Sequence, residues 1–167
     1  MILTRKSILN EIKSKNIVIT PFQKKNIGPA SIDLTLSNEF RIFKGHKKIT
    51  LNENSDYKKY TKKVIKNEIE IEPNGYILGI TKERIKLPDN ILGELTGRSR
   101  FARFGIGIHV SASFISPGIN NCQVLEIKNE SQYTIILKKG LKICQLVLER
   151  TEGHAICNSK FKNQTQL

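Results

Sequence analysis

The chain has 167 residues, 38% apolar and 26% charged, which is length and apolar content for one cored domain, with or without a tail, and excludes a disordered linker. Apolar runs such as Ile135-Ile136-Leu137 fall far short of the ~20 residues that span a bilayer, Arg5 and Lys6 followed by Ser7 break any leader pattern, and the widely spaced Cys122, Cys144 and Cys157 predict a reducing cytoplasm and no disulfide scaffold. The net charge of +13 is an N-terminal property: residues 1–66 hold 15 Lys and Arg against 5 Asp and Glu, whereas residues 67–150 hold 11 against 9.

Thr4 is placed to cap a short helix through Ser14, with Ile8, Leu9 and Ile12 on one face. The period then becomes twofold. Ile17–Ile19 stops at Pro21, and Ile32, Leu34 and Leu36 alternate with Ser31, Asp33 and Thr35. Residues 45–66 read as an insertion or loop. Ile69 and Ile71 alternate with glutamates, and Pro73-Asn74-Gly75 predicts a hairpin into Tyr76–Ile80. Short strands follow at Ile85–Leu87, Ile91–Leu95, Ile106–Val110, Gln123–Lys128, Thr134–Leu137 and Ile143–Leu148. Between Gly97 and Gly105 the chain reads as a short internal helix. Many short, evenly spaced strands predict a mainly β domain over 1–150, a sandwich or distorted barrel. Residues 151–167 are polar and predict a mobile arm.

Several chemistries lack their residues. A zinc base deaminase needs a His or Cys, a Glu two residues on, and a Cys-x-x-Cys pair; His46, His109 and His154 have no such Glu, and no two cysteines are close. No P-loop or dinucleotide glycine fingerprint occurs, and nothing marks a nucleophile elbow. Each histidine reads as a surface or packing residue. The lysine pairs Lys24-Lys25, Lys47-Lys48, Lys58-Lys59 and Lys62-Lys63 lack the arginine and aromatic partners that base readout uses. They read as solvated surface, or else as attraction for a polyanion, whether nucleic acid or nucleotide triphosphate.

The richest stretch is Gly97-Arg98-Ser99-Arg100-Phe101-Ala102-Arg103-Phe104-Gly105. A glycine and Arg-Ser at a helix start offer backbone amides, a hydroxyl and guanidinium forks, all suited to phosphate oxygens. Downstream lie His109-Val110-Ser111-Ala112, Ile115-Ser116-Pro117-Gly118 and Val124-Leu125-Glu126-Ile127. By alternation Glu126 shares a face with Val124, which reads as buried, and a carboxylate on an inward face needs a partner or a task.

With these residues the chain resembles the dCTP deaminase branch of the dUTPase-like superfamily. The likeness runs from the short first helix and Gly28-Pro29-Ala30-Ser31-Ile32-Asp33-Leu34, through the Gly-Arg-Ser-x-x-Ala-Arg-x-Gly core and the Val-Leu-Glu strand, to Lys160-Phe161-Lys162-Asn163-Gln164. It implies a distorted jelly-roll or β-sandwich subunit, a homotrimer with active sites between neighbours, and deamination of dCTP to dUTP and ammonia. Glu126 would be the proton shuttle, Ser99 and the carbonyl near Ala112 would hold the water, and Arg103 would support the charge. Arg98, Ser99, Arg100, Phe101, Ala102 and Arg103 would form part of the triphosphate site. Ser116, Val124 and Leu125 would line the nucleoside, and Lys160 and Gln164 would contact phosphates from the arm. Mg2+ would accompany the triphosphate, with no zinc and no protein metal ligands. Two departures stand out. Ser116 and Ile119 occupy places where the family usually has Asp and an aromatic, and a serine is no base near neutral pH. In the pyrophosphatase and bifunctional relatives that Asp activates the water that attacks the α-phosphate, so the resemblance argues against a dUTPase-type pyrophosphatase, the first alternative, and against a bifunctional enzyme; a non-catalytic nucleotide or nucleic-acid binder is the second. Asp33 is expected to be structural.

Overall fold

The computed structural model describes residues 1–45 and 48–167; His46 and Lys47, one a histidine and one a lysine discussed above, lie outside the described residues. Helix α1 spans Arg5–Lys13 and buries Ile8, while Leu9 and Ile12 pack against the core. The Thr4 carbonyl accepts the first helical bond from the Ile8 amide, at 2.9 Å, but its hydroxyl makes no cap. That hydroxyl sits 3.5 Å from the Ser7 hydroxyl instead.

The rest is built on strands β1 (Val18–Thr20), β2 (Ile32–Phe43), β3 (Thr61–Ile65), β4 (Glu68–Ile71), β5 (Tyr76–Lys86) and β6 (Ile91–Gly97), then helix α2 (Ser99–Ala102). Strands β7 (Ile106–Ile108), β8 (Phe114–Ile115), β9 (Asn120–Asn129), β10 (Ile135–Lys138) and β11 (Lys142–Arg150) follow. The main sheet runs β7-β9-β5-β2-β11-β6-β8, with β1 added on β5 and β3 on β2, and β10 and β4 form a separate pair. Every pairing is antiparallel. Strand β2 makes the sheet curl: Ile32–Thr35 pair with β11, whereas Leu36–Ile42 pair with β5 across a bulge. The two halves close on Leu34, Leu36, Phe40, Leu125, Ile127, Ile143 and Leu146, all fully buried. The expected mainly β sandwich, with one N-terminal and one internal helix, is what the chain adopts. Among the described residues no helix is long and apolar enough to cross a membrane.

Two expectations change. Pro73-Asn74-Gly75 does turn the chain, with the Gly75 amide donating to the Glu72 carbonyl at 2.8 Å, but it makes no hairpin. Strand β4 leaves the main sheet to pair with β10, and β5 pairs with β2 and β9. The buried Ile69, Ile71 and Leu137 reward that distant pairing, which no local turn signal encodes. The presumed loop over 45–66 also contains β3, which extends the sheet through Glu39–Phe43.

Candidate active site

Strand β9 sets the geometry. Gln123, Leu125, Ile127 and Asn129 are buried on one face; Cys122, Val124, Glu126 and Lys128 form the other, half-buried face. Glu126 does share a face with Val124, but that face is turned away from the core. It floors a cavity of about 450 Å³, within the range of small-molecule sites. A pocket wall is apolar like a core, so alternation alone does not tell the two faces apart.

The Glu126 carboxylate accepts the Ser111 amide at 2.7 Å and the Ser111 hydroxyl at 3.0 and 3.1 Å. The His109 amide donates to the Glu126 carbonyl at 2.9 Å, which ties the loop after β7 to the floor. His109 takes a left-handed φ of 57°, rare outside glycine. Its imidazole lines the cavity, and burial pushes its pKa below the ordinary value, opposed by the Glu126 charge. Across the floor, Leu78 of β5 pairs with Glu126. Burial and, second, the Glu126 charge push the Tyr76 phenol up. Tyr76 packs on Phe43 with ring centroids 5.7 Å apart, and Tyr57 completes an aromatic end of the cavity.

Of the residues singled out in the sequence, Ala112, Ser116, Val124, Glu126 and Gln164 meet at this one cavity. Ile119 lines it too, buried where an aromatic was the family expectation. Leu125 does not line it, because alternation turns its side chain into the core. Ser99, Arg100, Phe101, Ala102 and Arg103 lie on or just after α2 and do not line it either. Ser99, Arg100, Ala102 and Arg103 are exposed, and the two arginines make no ion pair with the described residues. Glu126 is therefore held by Ser111 and not, within one chain, by Arg103. Arg98 is held back by Asp33 at 3.4 Å and by the Lys142 carbonyl at 3.1 Å, so Asp33 ties β2 to the start of α2. Phe101 joins Phe104, Ile106, Ile135, Ile136 and Leu137 in a second, apolar groove.

The segment after β11 has no helix or strand, yet it is docked. The Asn120 and Cys122 amides donate to the Lys162 and Gln164 carbonyls, each at 2.9 Å. A turn over 160–163 points Lys162 and Gln164 to the cavity and leaves Lys160 outside, its ammonium 5.2 Å from the Phe161 ring. Tyr76, Tyr57 and Phe43 are thus cavity residues that the sequence did not mark, and His109 and Lys162 are cavity residues that it quoted within informative stretches without a role. Among the described residues no three His, Cys, Asp or Glu side chains come together as a metal cage.

Among the described residues the cavity holds one carboxylate, that of Glu126. A family model described as dCTP deaminase-like matches residues 2–151. The chain belongs to the dCTP deaminase-like family. A Methanobrevibacter smithii protein named dCTP deaminase, dUMP-forming, is 34% identical over 176 residues, covering 98% of this chain and 91% of the relative. A Marinomonas protein named dCTP deaminase is 36% identical over 183 residues, covering 99% and 94%. The crystal structure of 2'-deoxycytidine 5'-triphosphate deaminase from Agrobacterium tumefaciens shares the fold of this family member, with a TM-score of 0.71 at 16% identity. That match covers 90% of this chain and 48% of the Agrobacterium chain, so this family member spans about half of it.

Proposed function

We propose that the protein is a cytoplasmic enzyme that deaminates dCTP to dUTP and ammonia, with Glu126 carrying the protons. One observation supports this most: Glu126 is the one carboxylate lining the cavity among the described residues, anchored by Ser111 and flanked by Val124 and Ala112. Deamination needs water to add at C4 of cytosine, a proton at N3, and departure of ammonia. Glu126 takes the water's proton as the C–O bond forms and delivers it to N3. A proton from the added hydroxyl then passes through the same carboxylate to the amino group, and the C–N bond breaks. Such positioned acid–base work is worth roughly 10²–10⁴ in rate. Orientation of the water, in a pocket that the arm helps to close, adds the entropic part. Mg2+ enters this reading with the substrate, held by phosphate oxygens, and no step runs through it.

The same reading places Ser99 and Arg103 of a neighbouring subunit at the site, within a homotrimer. Support comes from the exposed Arg100 and Arg103, in and just after α2, and from the adjacent groove, where Phe104 and Ile136 are 70% and 52% exposed. A second copy covering that groove brings α2 to another subunit's Glu126.

A second reading, formation of dUMP, is favoured by the names of most of the relatives, which, like that of the M. smithii protein, read dUMP-forming. It needs a base for the water that attacks the α-phosphate, and Ser116 is the residue at that place. The deciding experiment incubates the protein with dCTP, CTP, dCMP and dUTP and measures ammonia and pyrophosphate in parallel. Stoichiometric ammonia and dUTP from dCTP, with less than about one pyrophosphate per hundred ammonia, is the expected result. Equal pyrophosphate and ammonia establishes the dUMP-forming reading, and no ammonia from any cytosine nucleotide overturns both.

A further inference from the structure

The arm closes onto a socket that the reaction does not use. On β2, Arg41 is 9% exposed, and a guanidinium is rarely so buried without a task. It donates to the Thr61 hydroxyl at 3.1 Å and to the Leu167 carbonyl at 3.4 Å, and it lies 5.7 Å from the centre of the Tyr57 ring. Among the described residues its Nε has no partner. Two residues earlier Glu39, paired with Lys63 at 2.8 Å, accepts the Leu167 amide. The Leu167 main chain is therefore gripped from both sides. Its side chain, 3% exposed, packs on Leu78 and Ile80 of β5, next to Val124 and Tyr76. Between this plug and the turn over 160–163 lies Gln164, whose carbonyl is fixed by Cys122 and whose amide reaches the Tyr57 hydroxyl at 3.4 Å.

We infer that Glu39 and Arg41 form a latch for Leu167, and that seating Leu167 positions Lys162 and Gln164 over the cavity. These are positioning residues: they touch the arm and not the reacting atoms. The Leu78–Ile80 surface lies on the outer side of β5, so an unlatched arm leaves apolar area in water, which favours the closed state before nucleotide arrives. The inference rests on the cavity being the nucleotide site only for its effect on substrate, not for the latch itself.

Leu167→Ala and Leu167→Asp test it, with Leu167→Met as the conservative variant and Arg41→Met as an independent cut on the other side of the contact. Amide hydrogen exchange of the unliganded protein reads the latch at Asn120 and Cys122, whose amides donate to the arm. Exchange there should quicken at least about tenfold in the Ala, Asp and Arg41→Met variants, with core amides of Leu125 and Ile127 unchanged and Leu167→Met like the parent. KM for dCTP should rise about tenfold, with kcat within about threefold. Unchanged exchange at both amides overturns the latch. Faster exchange with unchanged KM overturns its positioning role. If the parent protein turns over no cytosine nucleotide, the deaminase reading fails, and exchange together with the affinity for dCTP still decides the latch.

Discussion

Glu126→Gln should bind dCTP with an affinity close to that of the parent and release ammonia at least about 10²–10⁴ times more slowly, a loss of about 3–5 kcal/mol of transition-state stabilisation. Glutamine keeps the shape, and its side-chain oxygen still accepts the Ser111 amide that holds the carboxylate at 2.7 Å. What disappears is the basicity that, in the proposed reaction, takes a proton from water and hands it to the ring. The loss therefore falls on kcat and leaves the nucleotide Kd in place. Isothermal calorimetry for binding and an ammonia assay for turnover separate the two. A large loss of binding alongside turnover would make Glu126 a residue that merely holds the loop through Ser111, and turnover like that of the parent would remove it from the chemistry.

The second large effect concerns the other half of the site. Arg103→Ala alone and Glu126→Gln alone should each be nearly inactive. Mixed in equal amounts and allowed to exchange subunits, they should recover about a quarter of the parental activity, the share of inter-subunit sites that inherit an intact Glu126 from one copy and an intact Arg103 from the next. The prediction follows from the proposed trimer, and within one chain Arg103 is exposed just after α2 while Glu126 floors a cavity that α2 does not line. Steady-state ammonia release from the mixture is the measurement. Recovery of activity establishes a composite site. No recovery, with exchange verified by mass spectrometry of the assemblies, confines each site to one chain or removes Arg103 from it.

Much of this architecture was legible in the residues. Alternation over Ile32–Leu36 of β2 and throughout β9 reports strands because each has one buried face, and Glu126 stands out as an acid in an apolar run. Which face it occupies was not legible, because Val124 is as apolar at a pocket wall as it would be in the core. The partner of β4 was hidden for a different reason: Ile69 and Ile71 find Ile135 and Leu137 more than 60 positions away, and turn chemistry at Pro73-Asn74-Gly75 speaks only for the turn. Tyr57 and Phe43 come from the segment around a presumed insertion, where no spacing marks a ligand. Lys160 and Lys162 are indistinguishable by composition; the turn over 160–163 alone decides which one faces the cavity. His109 carries no neighbour pattern at all, and only its left-handed backbone and burial reveal its place beside Glu126.

The most direct measurement is a crystal structure of the Glu126→Gln protein with dCTP and Mg2+. The cytosine ring should lie in the cavity between Ala112 and Val124, with C4 within about 4 Å of the residue 126 side chain or of a water bonded to it. Density for the base anywhere beyond reach of that side chain, or a cavity left to solvent while nucleotide binds on another surface, would contradict the assignment of Glu126 as the proton carrier.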